Sequence, residues 1–327
     1  MSRFDLSRRR LVAGLAATPI LGRPAVAQVD ATAQRVHAEL KEAKGTKLVL
    51  LGTGGGPVPG RARQMTSHVL LSEGAAYVVD CGLGVTSQLA RTGIPFSALR
   101  SVFLTHHHPD HNIEYGALLV LGWTQGMRQD LRAFGPPPLQ QMTEDLLRAY
   151  RATIGFWAED FKLTPLAKID VGEISAPGPV MQDDTVKVTA VVVEHPPVKP
   201  ALAYRLDFKD RSIAFSGDTA PVDAVAQLAK GADVLVHEAI YLPAVEAYVQ
   251  RRLALGEPGK LADYMAHMKA SHTPAEEAGR LARQAGVRTL VLSHLVPADG
   301  VSDQAWRAAA ATHFAGEIIV GQDLMIV

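Results

Sequence analysis

Four imidazoles and a carboxylate fall within six residues in the stretch Thr105-His106-His107-His108-Pro109-Asp110-His111. Neutral imidazole and carboxylate are the donors that zinc and its neighbours prefer. One turn need not supply every donor of a metal site. Three later residues are candidates for the remainder: His195, Asp218 and His294 each read as lying where a strand runs out into a loop, the usual place for site residues on a sheet. A bound divalent cation lowers the pKa of its water from about 15.7 towards 7. The chemistry implied is therefore hydrolysis by hydroxide at neutral pH.

The elements that must position these groups follow from periodicity. Ser101-Val-Phe-Leu-Thr105 reads as a buried strand and the apolar run from Asn112 as a helix, so the histidine cluster sits on a strand-to-helix turn. Upstream, 47–51 reads as a strand that opens into Gly52-Thr-Gly-Gly-Gly-Pro-Val-Pro59. This turn lacks the Gly-Lys-Ser/Thr ending of a phosphate loop and the spacing of a dinucleotide turn. It reads instead as backbone passing close to a metal site. Residues 69–72 and 76–80 read as a strand pair around Glu73-Gly74. Asp80, at the end of that pair, either orients the histidine loop from behind or caps a helix. Aromatics concentrate in 123–165 around Gly135-Pro-Pro-Pro138. That span reads as a loop-plus-helix insertion forming a wall of the pocket, or as a helical hairpin packed on the core. From Val186 the pattern is β again, over 186–193, 203–208, 212–216 and 232–236. A second helical insertion (242–270), a helix (275–285), a strand (289–293) and a last helix (304–312) follow. Strands with helices spread among them argue for a layered α/β domain.

The spacing His106-x-His108-x-Asp110-His111 resembles the complete motif of the metallo-β-lactamase superfamily. The resemblance implies an αββα sandwich with the site at one edge between two sheets. It implies one zinc on His106, His108 and His195, a second on Asp110, His111 and His294, and Asp218 as the bridge. Asp110 counts with the catalytic groups as well as the ligands, and His107 is not carried over. The stretch Ser271-His272-Thr273-Pro274, the run from Gly286 to Pro297 and His237-Glu238-Ala239 are similar to the ribonuclease Z and bacterial arylsulfatase branches, more so the latter. There the position of His272 is a general acid that protonates the leaving oxygen, with Glu238 holding it. Read from the residues alone, His272 is also placed as a helix-cap neighbour, Thr273 being an acceptable N-cap. The expected activity is that of a dinuclear zinc hydrolase of sulfate or phosphate esters, arylsulfatase-like. The alternatives are a ribonuclease Z-like phosphodiesterase and a hydrolase of aryl halides or lactones on the same site. A metal-binding protein that has kept the fold without activity is the non-enzyme alternative.

Composition narrows the partners. Across 327 residues, 33 Lys+Arg balance 33 Asp+Glu, so no basic excess exists to hold a polyanion, and nucleic acid is not expected. A small-molecule ester is the expected partner, a homodimer is possible, and no stable membrane anchor is expected. Cys81 is the only cysteine, which excludes an intrachain disulfide; it reads as a small buried residue at a strand end. Ser7-Arg8-Arg9-Arg10-Leu11-Val12 precedes an apolar run ending near Leu21, too short for the roughly 20 residues of a membrane span. With Ala25-Val26-Ala27 as a cleavage site, residues 1–27 resemble a twin-arginine signal peptide, which implies a periplasmic or secreted protein. The expected division is a leader (1–27), an N-terminal helix and linker (28–46) and a hydrolase domain (47–327).

Overall fold

The computed structural model describes residues 30–42, 44–59 and 62–327. The leader expected over 1–27 lies outside them. No helix among the described residues is long and apolar enough to cross a membrane.

The chain lays down one sheet and then the other. β1 (Lys47–Gly52), β2 (Ser67–Ser72), β3 (Ala75–Val79), β4 (Leu99–Phe103), β5 (Leu131–Gly135) and β6 (Ile169–Glu173) form the first. β7 (Gly178–Gln182), β8 (Val186–His195), β9 (Val198–Phe208), β10 (Ser212–Phe215), β11 (Val234–Ile240), β12 (Thr289–Val296) and β13 (Glu317–Val320) form the second. β14 (Met325–Ile326) then returns to the free edge of β1, giving two seven-stranded sheets. β3 to β6 run parallel, as do β10 to β13, and the hairpin-linked strands are antiparallel.

Alternation along each strand divides the side chains between two faces. On β1, Leu48 and Leu50 point inward and meet Val188, Leu202, Leu206 and Phe215 of the other sheet. Val49 and Leu51 point outward, under Val36, Leu89 and Leu118 of the helices. On β12 the same rule sends Val291 between the sheets and Leu290 and Leu292 under the helix Ala275–Ala285. The result is the expected αββα layering. Both sheets are covered on their outer faces, which explains the nearly continuous apolar runs of their central strands.

Residues 123–165 give β5 and the helices Leu139–Ala149 and Arg151–Phe161. Phe156, Trp157 and Phe161 are exposed there. The helices that wall the cavity beside the site are Leu242–Ala254 and Leu261–Ser271. Their position follows from connectivity, because they are inserted between β11 and His272.

Candidate metal centre

The site residues cluster where strands end. Asp80 follows β3, the histidine cluster follows β4 through Leu104 and Thr105, His195 closes β8, and Asp218 follows β10. His294 departs from expectation, because β12 continues past it to Val296. Glu238 pairs with Ser293 and Ala239 with Leu295, so His294 is the extra residue of a bulge, at φ 46°. A bulge beside a site re-aims a side chain without ending the strand, and here it turns the imidazole inward. Asp80 is likewise held at φ 61°. Backbone in this sparsely populated region is a recurrent feature of functional sites.

The seven expected donors converge in two groups. Nδ1 of His108 lies 3.0 Å from Nε2 of His106 and 3.0 Å from Nε2 of His195. Both of those nitrogens are 3.9 Å from Oδ2 of Asp218. In the second group, Nε2 of His294 lies 3.2 Å from Oδ2 of Asp110 and 3.1 Å from Oδ2 of Asp218. Nε2 of His111 lies 3.3 Å from Oδ1 of Asp218 and 3.7 Å from Oδ2 of Asp110. Asp218 thus faces both groups. His107 turns away, with Nε2 on the Pro136 carbonyl at 2.8 Å and Nδ1 beside Asn112 at 3.2 Å.

Each inward nitrogen is set by what holds the other side of its ring. Nδ1 of His111 is 2.9 Å from Oδ2 of Asp80. Nδ1 of His106 meets the Thr105 hydroxyl at 3.1 Å, and Nδ1 of His195 donates to the Ser271 carbonyl at 2.7 Å. Asp80 also accepts the Thr105 N–H at 2.8 Å. Of its two expected roles, orienting the histidine loop is therefore the one the geometry matches. Such outer contacts fix the tautomer and direction of a metal-binding imidazole.

The donor set fits divalent cations. Three imidazole nitrogens within 3.0 Å steps cannot all be satisfied by one another, since a neutral ring offers only one N–H. Nε2 of His111 and Oδ1 of Asp218 are buried and have no hydrogen-bond partner. Buried orphans of this kind require an explanation, and a cation supplies it. Electrostatics agree. Burial pulls His111 down, but the carboxylates of Asp218, Asp80 and Asp110 outweigh it and hold the ring well above the usual histidine range. Three carboxylates at one point call for positive charge. His106, buried and beside His111, is pushed well down, and burial brings His195 down to about 4. Both are therefore neutral at pH 7, as a metal-binding imidazole must be.

His272 stands beside these groups. Its Nδ1 is 2.8 Å from Oε2 of Glu238, whose Oε1 accepts the Thr219 N–H at 2.6 Å. Its side chain is 12% exposed, against at most 4% for His106, His111, His195 and His294. It therefore reaches the opening. Burial lowers its pKa, but Glu238 and then Asp218 more than offset this and raise it to about 9. Burial also pushes the Glu238 carboxyl up, so the pair holds one proton between them. A nitrogen of His272 also lies within 4.8 Å of donors from Asp218 and His294, but its Nδ1 is committed to Glu238. Thr273 does not cap the following helix; its hydroxyl donates to the Thr219 carbonyl at 2.6 Å.

The glycine turn passes close to the centre, as expected. The Gly56 N–H donates to Oδ2 of Asp110 at 2.8 Å. A Cβ on Gly55 would lie 2.7 Å from the His294 ring, so only glycine fits there. Asp323 fixes this turn by accepting from the Thr53 N–H at 3.0 Å and the Gln64 N–H at 2.6 Å. Sequence reasoning missed Asp323, the Thr105 hydroxyl and the buried His68–Ser293 pair at 3.0 Å. None of them carries a spacing signal of its own. Cys81 is buried, as expected, and burial pushes its thiol up.

The β-lactamase superfamily domain model matches residues 76–295. Ribonuclease Z of Mycobacterium bovis (strain BCG / Pasteur 1173P2) is 37% identical over 283 residues, covering 85% of this chain and 96% of that protein. Among solved structures, the metallo-β-lactamase fold protein YhfI from Bacillus subtilis superposes with a TM-score of 0.63 at 21% identity, over 87% of this chain and 99% of that one. The short form of human tRNase Z gives 0.61 at 21% identity, over 86% and 98%. At those identities the two structures speak for the fold alone.

Proposed function

The chain belongs to the β-lactamase superfamily and carries its metallo-β-lactamase fold, and from that premise we propose that it is a divalent-metal-dependent phosphodiesterase of ribonuclease Z type. The observation that carries the reading is the 37% identity over 283 residues to a protein named ribonuclease Z. That likeness favours the expected alternative over the arylsulfatase-like reading. It also brings RNA back among the candidate substrates, although the balanced charge of 33 against 33 gives no general affinity for a polyanion.

Two zinc ions are the proposed occupants. His106, His108, His195 and Asp218 would hold one, and Asp110, His111, His294 and Asp218 the other. When bound, such a pair activates water at neutral pH and offsets charge on the ester oxygens. The chain's own residues do the rest. Asp80, Thr105 and the Ser271 carbonyl keep the imidazoles aimed. His272, protonated and anchored by Glu238, gives its proton to the departing oxygen, a contribution of about 10²–10⁴-fold. Export is proposed on the sequence of residues 1–27 alone, and cell fractionation of the full-length protein tests it.

The test of the activity is metal analysis paired with assays on a phosphodiester, an RNA with a 3′ extension and an aryl sulfate. We expect turnover of the phosphodiester that a chelator abolishes and zinc restores. We also expect Asp218→Ala to lose both bound metal and rate. Cleavage of the sulfate in preference to the phosphodiester would overturn the reading, and so would full metal content in the Asp218 variant.

A further inference from the structure

A cavity of about 250 Å³ lies against the metal centre, beneath the helices Leu242–Ala254 and Leu261–Ser271. Its walls are Val245, Tyr248, Val249, Leu253, Tyr264 and Met268. Its floor is Gly55, Gly56 and Val296. Floor and centre are continuous, because Gly56 donates to Asp110, Gly55 abuts the His294 ring, and Val296 lies two residues beyond His294. Met268 stands one helical turn before His272, whose N–H bonds to the Met268 carbonyl at 3.0 Å. The cavity therefore adjoins Asp110 and His294 of the second donor group through its floor, and the backbone of His272 through Met268 of its wall.

The polar atoms around it are occupied with one another. Arg252 pairs with Glu257 at 2.6 Å and with the Tyr248 hydroxyl at 3.0 Å, and the Tyr264 hydroxyl donates to the Pro258 carbonyl at 3.1 Å. What remains for an occupant is apolar surface. An apolar cavity of about 150 Å³ holds a benzene molecule, so this one has room for a fused pair of rings. A ribose would bury hydroxyls there with few partners, which disfavours it.

We infer that this cavity is the leaving-group subsite, and that it takes an apolar alcohol of the size of one or two aromatic rings. The inference rests on the phosphodiesterase reading above and narrows its substrates away from RNA, whose cleavage would expel a ribose hydroxyl, to diesters of apolar alcohols. The assignment is argued from Met268, which joins the cavity wall to His272 one turn on, because the group protonated by the acid must lie on the acid's side. In the reaction, water oxygen bonds to phosphorus. The bond from phosphorus to the alcohol oxygen breaks with its electron pair on that oxygen. His272 gives that oxygen a proton, and a proton from the attacking water makes good the loss. The products are a phosphomonoester and the free alcohol.

The test uses Leu253→Trp, which fills the cavity, and Val58→Trp, which blocks it from a loop position that also lines it and, 40% exposed, tolerates change. First, 1-naphthol is titrated by calorimetry into metal-free protein, a readout that needs no turnover. Binding to the wild type that weakens at least tenfold in either variant is expected, tenfold being the low end of what an apolar pocket discriminates. Second, kcat/KM is compared for phosphodiesters with naphthyl and trifluoroethyl leaving groups. The loss on substitution should be at least tenfold greater for the naphthyl ester. Equal naphthol binding in wild type and both variants, or equal losses for the two esters, overturns the subsite. Naphthol binding as expected without phosphodiester cleavage would overturn the phosphodiesterase reading while leaving the cavity's ligand class standing.

Discussion

Oε2 of Glu238 lies 2.8 Å from Nδ1 of His272, and this contact decides which nitrogen of the ring can serve a substrate. With Nδ1 committed to the carboxylate, Nε2 is the nitrogen left for the proposed protonation of the leaving oxygen. The same carboxylate keeps the proton on the ring at neutral pH, as the rise to about 9 indicates.

Removing that charge without changing its shape should therefore uncouple the acid. For Glu238→Gln we expect kcat to fall about 10²-fold on phosphodiesters with poorly departing alcohols, the low end of general-acid effects. On nitrophenyl esters, whose leaving group needs no proton, the fall should be much smaller. His272→Ala should show the same split, with a larger fall. Steady-state rates on the two ester classes check it, and equal losses on both would remove the acid role.

Asp80 offers a test of how the ligands are aimed. It sits 2.9 Å from Nδ1 of His111 and accepts the Thr105 N–H, from a left-handed backbone position that asparagine also tolerates. Asp80→Asn should thus fold normally but weaken metal binding, typically 10–100-fold for such outer contacts. Competition against a chromophoric chelator measures this. Unchanged affinity would show that His111 needs no orienting partner.

The sequence reveals different parts of the molecule unequally, and the physical reason is burial. The central strands are covered on both faces and read as apolar runs. Five strands escaped notice: β6, β7, β13 and β14 are the four sheet edges, and β5 is an interior strand hidden in the span read as helical. β6 and β7 contain Gly172, Gly178 and Pro179 and are half exposed, so their pattern is diluted. β14 has only two residues. The donors were legible because ligand chemistry demands particular residue types at particular spacings. The bulge at His294 was not, since Leu-Ser-His-Leu-Val reads as an unbroken strand end. Nor was the apolar cavity, because Val245, Val249 and Leu253 at intervals of four are what any helix packed on a core would show.

Acid stability gives the last test, and it turns on His237. This ring is buried in β11, with Nδ1 on the Glu238 carbonyl at 2.8 Å and Nε2 without a partner. Burial brings its pKa down from 6.5 to about 4. The sign follows from linkage. Above pH 6.5 the ring is neutral in both the folded and the unfolded chain, and it contributes no pH dependence. Between 6.5 and 4 the unfolded chain takes up a proton that the folded chain refuses, so stability falls as the pH falls. Over the whole window the loss from this one ring is about 3 kcal/mol, at 1.36 kcal/mol per unit. His237→Gln should therefore be less stable than the wild type at pH 7.5 but lose stability more slowly towards pH 4.5. His68, brought down to about 3 by burial, continues to act in both proteins. Urea denaturation across that range, with a chelator present so that metal loss does not contribute, reads the slopes. Parallel slopes would mean that the folded protein accommodates a charged His237, contrary to its burial.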